Sequence, residues 1–352
     1  MDHPYKTIEI AGGGIAGLTA AIQLKMAGHN PVVYEKESQI GAGRHGDFEG
    51  LENWIYPQSM PAFLIEAGFD FTEIKTHSVS QFFVHTQNRP PFLIQNNSPF
   101  FYMVRRGANP HDIDNQLFHQ CQKMGVQFEL GKKAPENCHI NATGSKKAAA
   151  YIQGINFQTE LKDQVHLLLG HEYAPKGYAY LIIIDGKGTL ATAYKKPKNS
   201  NVNPINNTRE YFDTKGISIN VGESFGSRGS FSLPFGQWRN PYQIGEAGGF
   251  QDYLFGFGIR MSMMSGRAAA LSILGKKKEA KILLKELNRK RRLSFVNRIL
   301  YERLNDRQMA EFAKKFSESS DPLSILSGAY AWNFKNILRW INIGHRYEIH
   351  PT

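Results

Sequence analysis

The chain is poor in the features that build a secreted scaffold or a membrane span. It carries two cysteines in 352 residues, Cys121 and Cys138, too few for a disulfide framework and without the Cys-x-x-Cys spacing of a redox or zinc site. Cys121 falls in a helical run and Cys138 beside an apolar strand, so both read as reduced packing residues. No stretch reaches the ~18 apolar residues of a membrane span, and the first strand begins too early to leave room for a signal peptide. The expectation is a cytoplasmic protein. No internal repeat, long low-complexity tract, Ser-His-Asp set, paired-carboxylate motif or metal-ligating cluster can be assigned. Acids are scarce too, 31 Asp and Glu against 42 Lys and Arg, and the deficit is local. Residues 276–315 hold fourteen Lys and Arg and five Asp and Glu. Such a concentration suits a phosphate-rich surface, either anionic lipid or nucleic acid.

What is present is organised around residues 7–35, TIEIAGGGIAGLTAAIQLKMAGHNPVVYE. Thr7 to Ala11 reads as a strand, Leu18 to Ala27 as an Ala- and Leu-rich helix ended by Gly28, and Pro31 to Tyr34 as a second strand. Between the first strand and the helix lies Gly12-x-Gly14-x-x-Gly17. Gly12 permits the tight turn, Gly14 lets the backbone approach a pyrophosphate, and Gly17 lets the helix pack on the strand. The helix N-terminus offers free N–H groups and a positive dipole end to phosphate. Seventeen residues separate Glu35 from Gly17, the distance at which a carboxylate accepts ribose hydroxyls. A strand before the glycines, a helix after them and an acid at this spacing point to a dinucleotide, with NAD and FAD both open.

At this length two intertwined domains are expected. Residues 36–53 read as a glycine-rich loop in which Arg44 and His45 could contact a cofactor phosphate or ring. PQSMPAFLIEAGF reads as a short helix, and QFFVHTQNRPPFLIQNNSPFFYMV as antiparallel strands dense in aromatics. Arg105 and Arg106 precede a helix with Ile113, Leu117 and Cys121 at +4 spacing, which runs into the strand VQFEL. CHINATG then brings Ala142, Thr143 and Gly144 to a strand end. HLLLGHEY, GYAYLIIID, GTLATAYKK and GISINVGES read as further strands, and NSNVNPINNT as an Asn-rich loop. In YQIGEAGGFQDYLFGFGIRMSMMSGRAAALSIL a short strand ends at Gly245-Glu246 and a helix starts near Gly258; its N-terminus would stabilise negative charge on a flavin. Beyond Gly275 the chain reads as helical. Leu293, Val296, Leu300 and Leu304 give one apolar face, Met309, Phe312 and Phe316 another, and Asp321-Pro322 a helix cap. The last segment mixes Trp332, Trp340, Ile337 and Ile341 with Lys335, Arg339 and Arg346, which suits either a membrane interface or a helical cap with a solvated basic side.

Four blocks in order carry a family likeness over about residues 7–275: the Gly12/Gly14/Gly17 fingerprint with Glu35; GRHGDFEGLENW; VRRG with its helix and INATG; and GEAGGF continuing to Gly256-x-Gly258-Ile259 and Ser265-Gly266. The pattern resembles the para-hydroxybenzoate-hydroxylase-like flavoproteins, and within them the geranylgeranyl reductase family. The resemblance implies an α/β protein with three parts. A discontinuous Rossmann-type FAD-binding domain would comprise residues 1–55, 104–150 and 236–275. An antiparallel β-sheet substrate domain would comprise 56–103 and 151–235, and a basic helical C-terminal region 276–352. It implies FAD, with Glu35 on the adenosine ribose, Arg44 near the pyrophosphate, Thr143 and Gly144 beside the cofactor, Glu246 on the ribityl chain, and Gly256, Gly258 and Ile259 against the isoalloxazine. Ala16, Lys36, His45, Gly46, Arg106 and Gly245 complete the candidate cofactor contacts.

Three departures are visible. Glu246 replaces the family's Asp. Of a substrate motif resembling P-x-x-Y-x-W-x-F-P, Pro175 and Tyr178 match, while Tyr180, Ile182 and Ile183 stand for Trp, Phe and Pro. A cysteine that some members carry in the loop after the first acid is absent. Tyr178 and Tyr180 are the candidate substrate contacts, and His45 and Tyr178 the possible proton donors. The resemblance implies hydride transfer from flavin N5 to a carbon-carbon double bond of a hydrophobic, isoprenoid-like substrate, the electron donor being open. A monooxygenase using NAD(P)H and oxygen is the alternative, and a non-catalytic flavin-binding or membrane-interaction protein another. A halogenase is disfavoured by the missing W-x-W-x-I-P segment. Peripheral membrane contact through the C-terminal helices is an expected partner mode; without a recognition motif, nucleic acid is not.

Overall fold

The structure is a computed structural model that describes residues 7–145, 150–195, 203–219, 221–229 and 238–346. It opens with β1 (Thr7–Ala11), α1 (Ile15–Met26) and β2 (Asn30–Glu35), then β3 (Phe48–Glu52), α2 (Met60–Glu66), β4 (His77–Val79), β5 (Gln81–Thr86), β6 (Phe92–Gln95) and β7 (Phe101–Arg105). There follow α3 (Ile113–Lys123), β8 (Gln127–Leu130), β9 (Ile140–Asn141), β10 (Ala150–Gln158), β11 (Gln164–Leu169), β12 (Tyr178–Ile184) and β13 (Lys187–Tyr194). The remainder comprises α4 (Pro204–Asp213), β14 (Glu223–Gly229), β15 (Tyr242–Gln243), α5 (Ile259–Ile273), α6 (Lys277–Tyr301), α7 (Asp306–Ser317), α8 (Pro322–Ala329) and α9 (Phe334–Arg346).

Three sheets result. The first is parallel, in the order β15-β9-β1-β2-β8, with Ile10 opposite Ile140 and Val33, so that the fingerprint strand is central. Helix α1 is buried on almost every side: Ala16, Thr19 and Ala20 lie against Gly266 of α5, and the Leu18 carbonyl accepts from the Cys121 thiol of α3. Its close partner is α5, and Gly28 ends it with φ near +83°. The second sheet runs β14-β10-β13-β12-β11-β5-β6, antiparallel except where β11 meets β5. Strand alternation gives it two faces. Leu168, Leu181, Ile183 and Leu190 pack with Phe212 of α4, while Val84, Val165, Leu167, Tyr178, Tyr180 and Ile182 point the other way, into a cavity. The third sheet runs β3-β7-β4, antiparallel, and the Phe48 N–H at the start of β3 donates to the Thr189 hydroxyl of β13 in the second.

Several expectations are corrected. Residues 36–53 are not loop throughout: β3 forms at Phe48–Glu52 because β7 supplies an antiparallel partner, with Phe48 opposite Arg105. The aromatic strands of 81–103 divide between sheets, β7 pairing with β3 and β4 rather than with β6. Strand β11 stops at Leu169, and His171 to Tyr173 form a turn. Within GISINVGES only Glu223 and Ser224 are strand; Asn220 lies outside the described residues, as do 199–202 of the Asn-rich stretch and 347–352. The rest of that Asn-rich stretch is helix, since the Asn203 side chain accepts from the Asn206 N–H and Pro204 occupies the first turn. Leu304 lies past the end of α6, and Phe312 is half exposed. The Asp321 cap does form, accepting from the Ser324 N–H.

Between the second sheet and α4 sits a buried polar chain. His85 Nε2 and His166 Nδ1 are 2.8 Å apart, His85 Nδ1 lies 3.0 Å from the Tyr211 hydroxyl, and His166 Nε2 lies 2.8 Å from Gln164 Oε1. Burial, with His166 beside it, pushes His85 down to about 3, and burial pushes His166 down to about 4, from an ordinary 6.5. Both rings are therefore neutral in the fold, while the unfolded chain takes up protons below pH 6.5. The stabilisation is complete above that value and is lost as pH falls toward 4. The guanidinium midpoint is expected to drop across this interval, and His85→Gln/His166→Gln to flatten the drop; an equal pH slope in both proteins would contradict it.

Candidate cofactor and substrate cavity

A cavity of about 570 Å³ lies where the three sheets and α5 meet. One end is glycine-rich and polar. Gly14, Ile15 and Ala16 bring the N-terminus of α1 to its wall, and Gly258 and Ile259 bring the N-terminus of α5 to the same space. Two positive helix ends thus converge on one volume. A Cβ on Gly14 would meet nothing within 4 Å, so this backbone is bare toward the cavity. Gly12 (φ +99°) and Gly17 do different work: a Cβ on Gly12 would stand 2.5 Å from the Ala142 carbonyl oxygen, and one on Gly17 would strike the Gly12 carbonyl. They close the turn and set β9 against it.

Arg44, His45, Gly144, Gly245, Glu246 and Gly256 also line the cavity, with Tyr178 and Tyr180 farther in. His45 stacks on Phe225 at 5.3 Å, and Gly46 (φ +79°) bonds to the Arg106 carbonyl just before the strand turns inward. The Tyr178 hydroxyl donates to the Phe255 carbonyl, and burial holds both tyrosines well above the ordinary phenol range. Glu35 stands beside the turn rather than on the cavity wall: its Oε2 accepts from the Gly13 N–H at 2.8 Å and its Oε1 from the Glu37 N–H at 3.0 Å. Lys36 points to solvent and pairs with Glu37, away from the cavity. Thr143 is exposed and bonds Asn141 Oδ1, so at this strand end Ala142 and Gly144 face inward. Arg106 touches the wall but is fully engaged. It forms a two-point pair with Asp114 at 2.8 Å and a third bond to Glu49; burial opposes its charge and these carboxylates outweigh the opposition.

Three groups escaped sequence reading. Asp47 and Glu49 line the cavity from the start of β3, and Trp54 faces Phe257 edge-on at 5.2 Å to form an aromatic floor with Phe101 and Phe255. The alternation Asp47-Phe48-Glu49-Gly50-Leu51, acidic residues alternating with others at a strand's period of two, was the available signal. Glu49 is held by Arg106 and by Arg44 at 3.7 Å. Asp47 forms no ion pair among the described residues; burial, then the Glu49 charge, pushes it up to about 6. The far end of the cavity is apolar, with Phe82, Val84, Leu167, Met309, Phe316 and Leu326 among its walls.

A parallel dinucleotide-binding sheet is joined to a large antiparallel sheet, with helices at the C-terminus, and a family model for a NAD(P)-binding Rossmann-like domain matches residues 10–54. More particularly, the fold is that of a geranylgeranyl bacteriochlorophyll reductase-like protein from Thermoplasma acidophilum, with TM-score 0.68 at 18% identity, covering 96% of this chain and 95% of that one. A flavin-dependent halogenase (TM-score 0.59, 15% identity, 98% and 78% covered) and p-nitrophenol 4-monooxygenase from Pseudomonas putida (0.61, 12%, 95% and 99%) share it. By sequence, one subunit of the ferredoxin/F(420)H(2)-dependent CoB-CoM heterodisulfide reductase of Methanosarcina acetivorans is 27% identical over 128 residues, 32% of this chain. The chain spans only 15% of that relative's length.

The glycine geometry separates folding from binding. Gly14→Ala is expected to shift stability by less than about 1 kcal/mol yet to abolish retention of a dinucleotide. Gly17→Ala is expected to cost about 1–3 kcal/mol by overpacking. Denaturant midpoints and the cofactor absorbance of purified variants check both; loss of folding in Gly14→Ala would contradict the assignment.

Proposed function

We propose that this chain is an FAD-dependent oxidoreductase that reduces carbon-carbon double bonds of a hydrophobic, isoprenoid-like substrate. The observation that carries the reading is a single cavity with two helix N-termini and bare glycine backbone at one end and an apolar chamber at the other. The donor set fits FAD: Gly14 and the α1 terminus would hold the diphosphate, Glu246 the ribityl chain, and Gly256, Gly258 and Ile259 the ring system. Glu35, with both oxygens already on backbone N–H groups, would turn its remaining lone pairs to the adenosine ribose. When bound and reduced, FAD supplies a hydride at N5.

The protein must supply a proton to the second alkene carbon. Of the cavity's acids, Glu49 is committed to two arginines, whereas Asp47 keeps its proton up to about pH 6 and faces the chamber near Tyr180. Asp47 is the proton donor in this reading, with Tyr178 and Tyr180 positioning the substrate. The aromatic floor and the apolar walls exclude water.

A monooxygenase is the second reading, favoured by the fold shared with the nitrophenol enzyme. The absorption spectrum of the purified protein, followed by anaerobic reduction and addition of an isoprenoid alkene, decides between them. Saturated product without oxygen is expected; oxygen-dependent hydroxylation of a small aromatic would overturn the reductase reading.

Asp47→Asn is expected to keep flavin content and anaerobic reducibility while slowing turnover about 100-fold or more. Because the protonated acid is the active form, wild-type turnover is expected to decline as pH rises through about 6. The variant should lack that limb, and an unchanged profile would remove Asp47 from the chemistry.

A further inference from the structure

Helix α9 presents two apolar faces where a surface helix needs one. Its inner face is accounted for. Ile343 packs with Val296 and Ile299 of α6, Asn336 bonds the carbonyls of Gly328 and Ala331 at 3.0 and 2.8 Å, and Trp340 lies under the Arg292 guanidinium at 5.6 Å. Its outer face carries Phe334, Leu338 and Ile341 at i, i+4 and i+7, exposed by 77%, 44% and 56%. Lys335 and Arg339, one turn apart and exposed, flank this stripe. From Pro322 to Arg346 the sequence contains no Asp or Glu, while Lys335, Arg339 and Arg346 are basic.

We propose that the outer face of α9 is a docking surface for an anionic lipid bilayer, the helix lying in the interface with Phe334, Leu338 and Ile341 in the acyl boundary and Lys335 and Arg339 at the headgroups. Charge selects this occupant. A second copy would bring the same acid-free basic face against itself, and a nucleic acid would leave the apolar stripe in water. Among the described residues no helix is long and apolar enough to cross a membrane, so contact is peripheral. Helix α8, whose Gly328 carbonyl accepts from Asn336 of α9, supplies Leu326 to the apolar end of the cavity, and α7 supplies Phe312 and Phe316. The inference goes beyond the proposed reaction and stands without it, because binding needs neither cofactor nor turnover.

The test is sedimentation of the full chain with phosphatidylserine/phosphatidylcholine vesicles and with phosphatidylcholine vesicles alone, titrated with salt. Duplex DNA serves as competitor, and sedimentation velocity reports the oligomeric state. Wild type is expected to bind the anionic vesicles, with affinity falling as salt rises. Phe334→Ser/Leu338→Ser/Ile341→Ser is expected to bind at least about 100-fold more weakly. Lys335→Gln/Arg339→Gln should bind about tenfold more weakly. Because these side chains face outward, thermal midpoints should stay near wild type. Absence of vesicle binding by wild type overturns the proposal. So does undiminished binding by the triple serine variant, which would assign the charge to nucleic acid or to lipid without α9, and so does a wild-type dimer that the triple variant dissolves.

Discussion

Three glycines press separate backbones together, and the placement of the cavity depends on that contact. Gly12 lies on the carbonyl of Ala142, Gly17 on the carbonyl of Gly12, and Gly266 of α5 on the carbonyl of Ala16; a methyl group at any of them would overlap main-chain atoms. Close packing leaves no room to absorb such an overlap. Because α1 and α5 touch through these small residues, their N-termini open onto the same volume, and because β9 closes on the turn, Gly144 reaches it as well. Electrostatic preorganisation here comes from packing: partial charges at helix ends are useful only when fixed in direction, and small residues fix them.

Asp252 is the corresponding anchor for the rest of the cavity. Its buried carboxylate accepts from the Ser294 hydroxyl of α6 at 2.6 Å, from the Tyr330 hydroxyl after α8 at 2.7 Å, and from the N–H groups of Phe255 and Leu254. Burial raises its pKa, and these donors oppose the rise. An isolated buried carboxylate would be costly, so the site persists only with its hydrogen bonds intact. It ties the loop at 251–258, which lies against the α5 N-terminus, to helices that follow it by forty residues or more. The apolar end of the cavity is therefore held in place by the same carboxylate that orders part of its polar end. The Asp114–Arg106–Glu49 cluster acts similarly between α3 and β3, and it explains why an arginine that the motif order placed near the cofactor is spent on the scaffold.

The sequence alone determined the Rossmann unit, its glycine turn and Glu35, because these follow from local rules: strand alternation, the φ > 0 demanded of Gly12, and the Ala- and Leu-rich helix. The four motif blocks in order also carried the class of fold, and the C-terminal helices were legible from their apolar spacing and the Asp321-Pro322 cap. Only the tertiary structure decided how distant segments share a wall. Strand β3 exists because β7 pairs with it, and that pairing turns Asp47 and Glu49 inward from what reads as a loop. Lys36 and Thr143 sit within motifs yet face solvent, since strand ends turn side chains according to the backbone around them. The amphipathic reading of α9 was ambiguous because one hydrophobic period cannot say which of two apolar faces meets the core; contact with α6 settles the inner face and leaves the outer one exposed. Local propensity reads along the chain, whereas burial and pKa depend on what arrives from elsewhere in it.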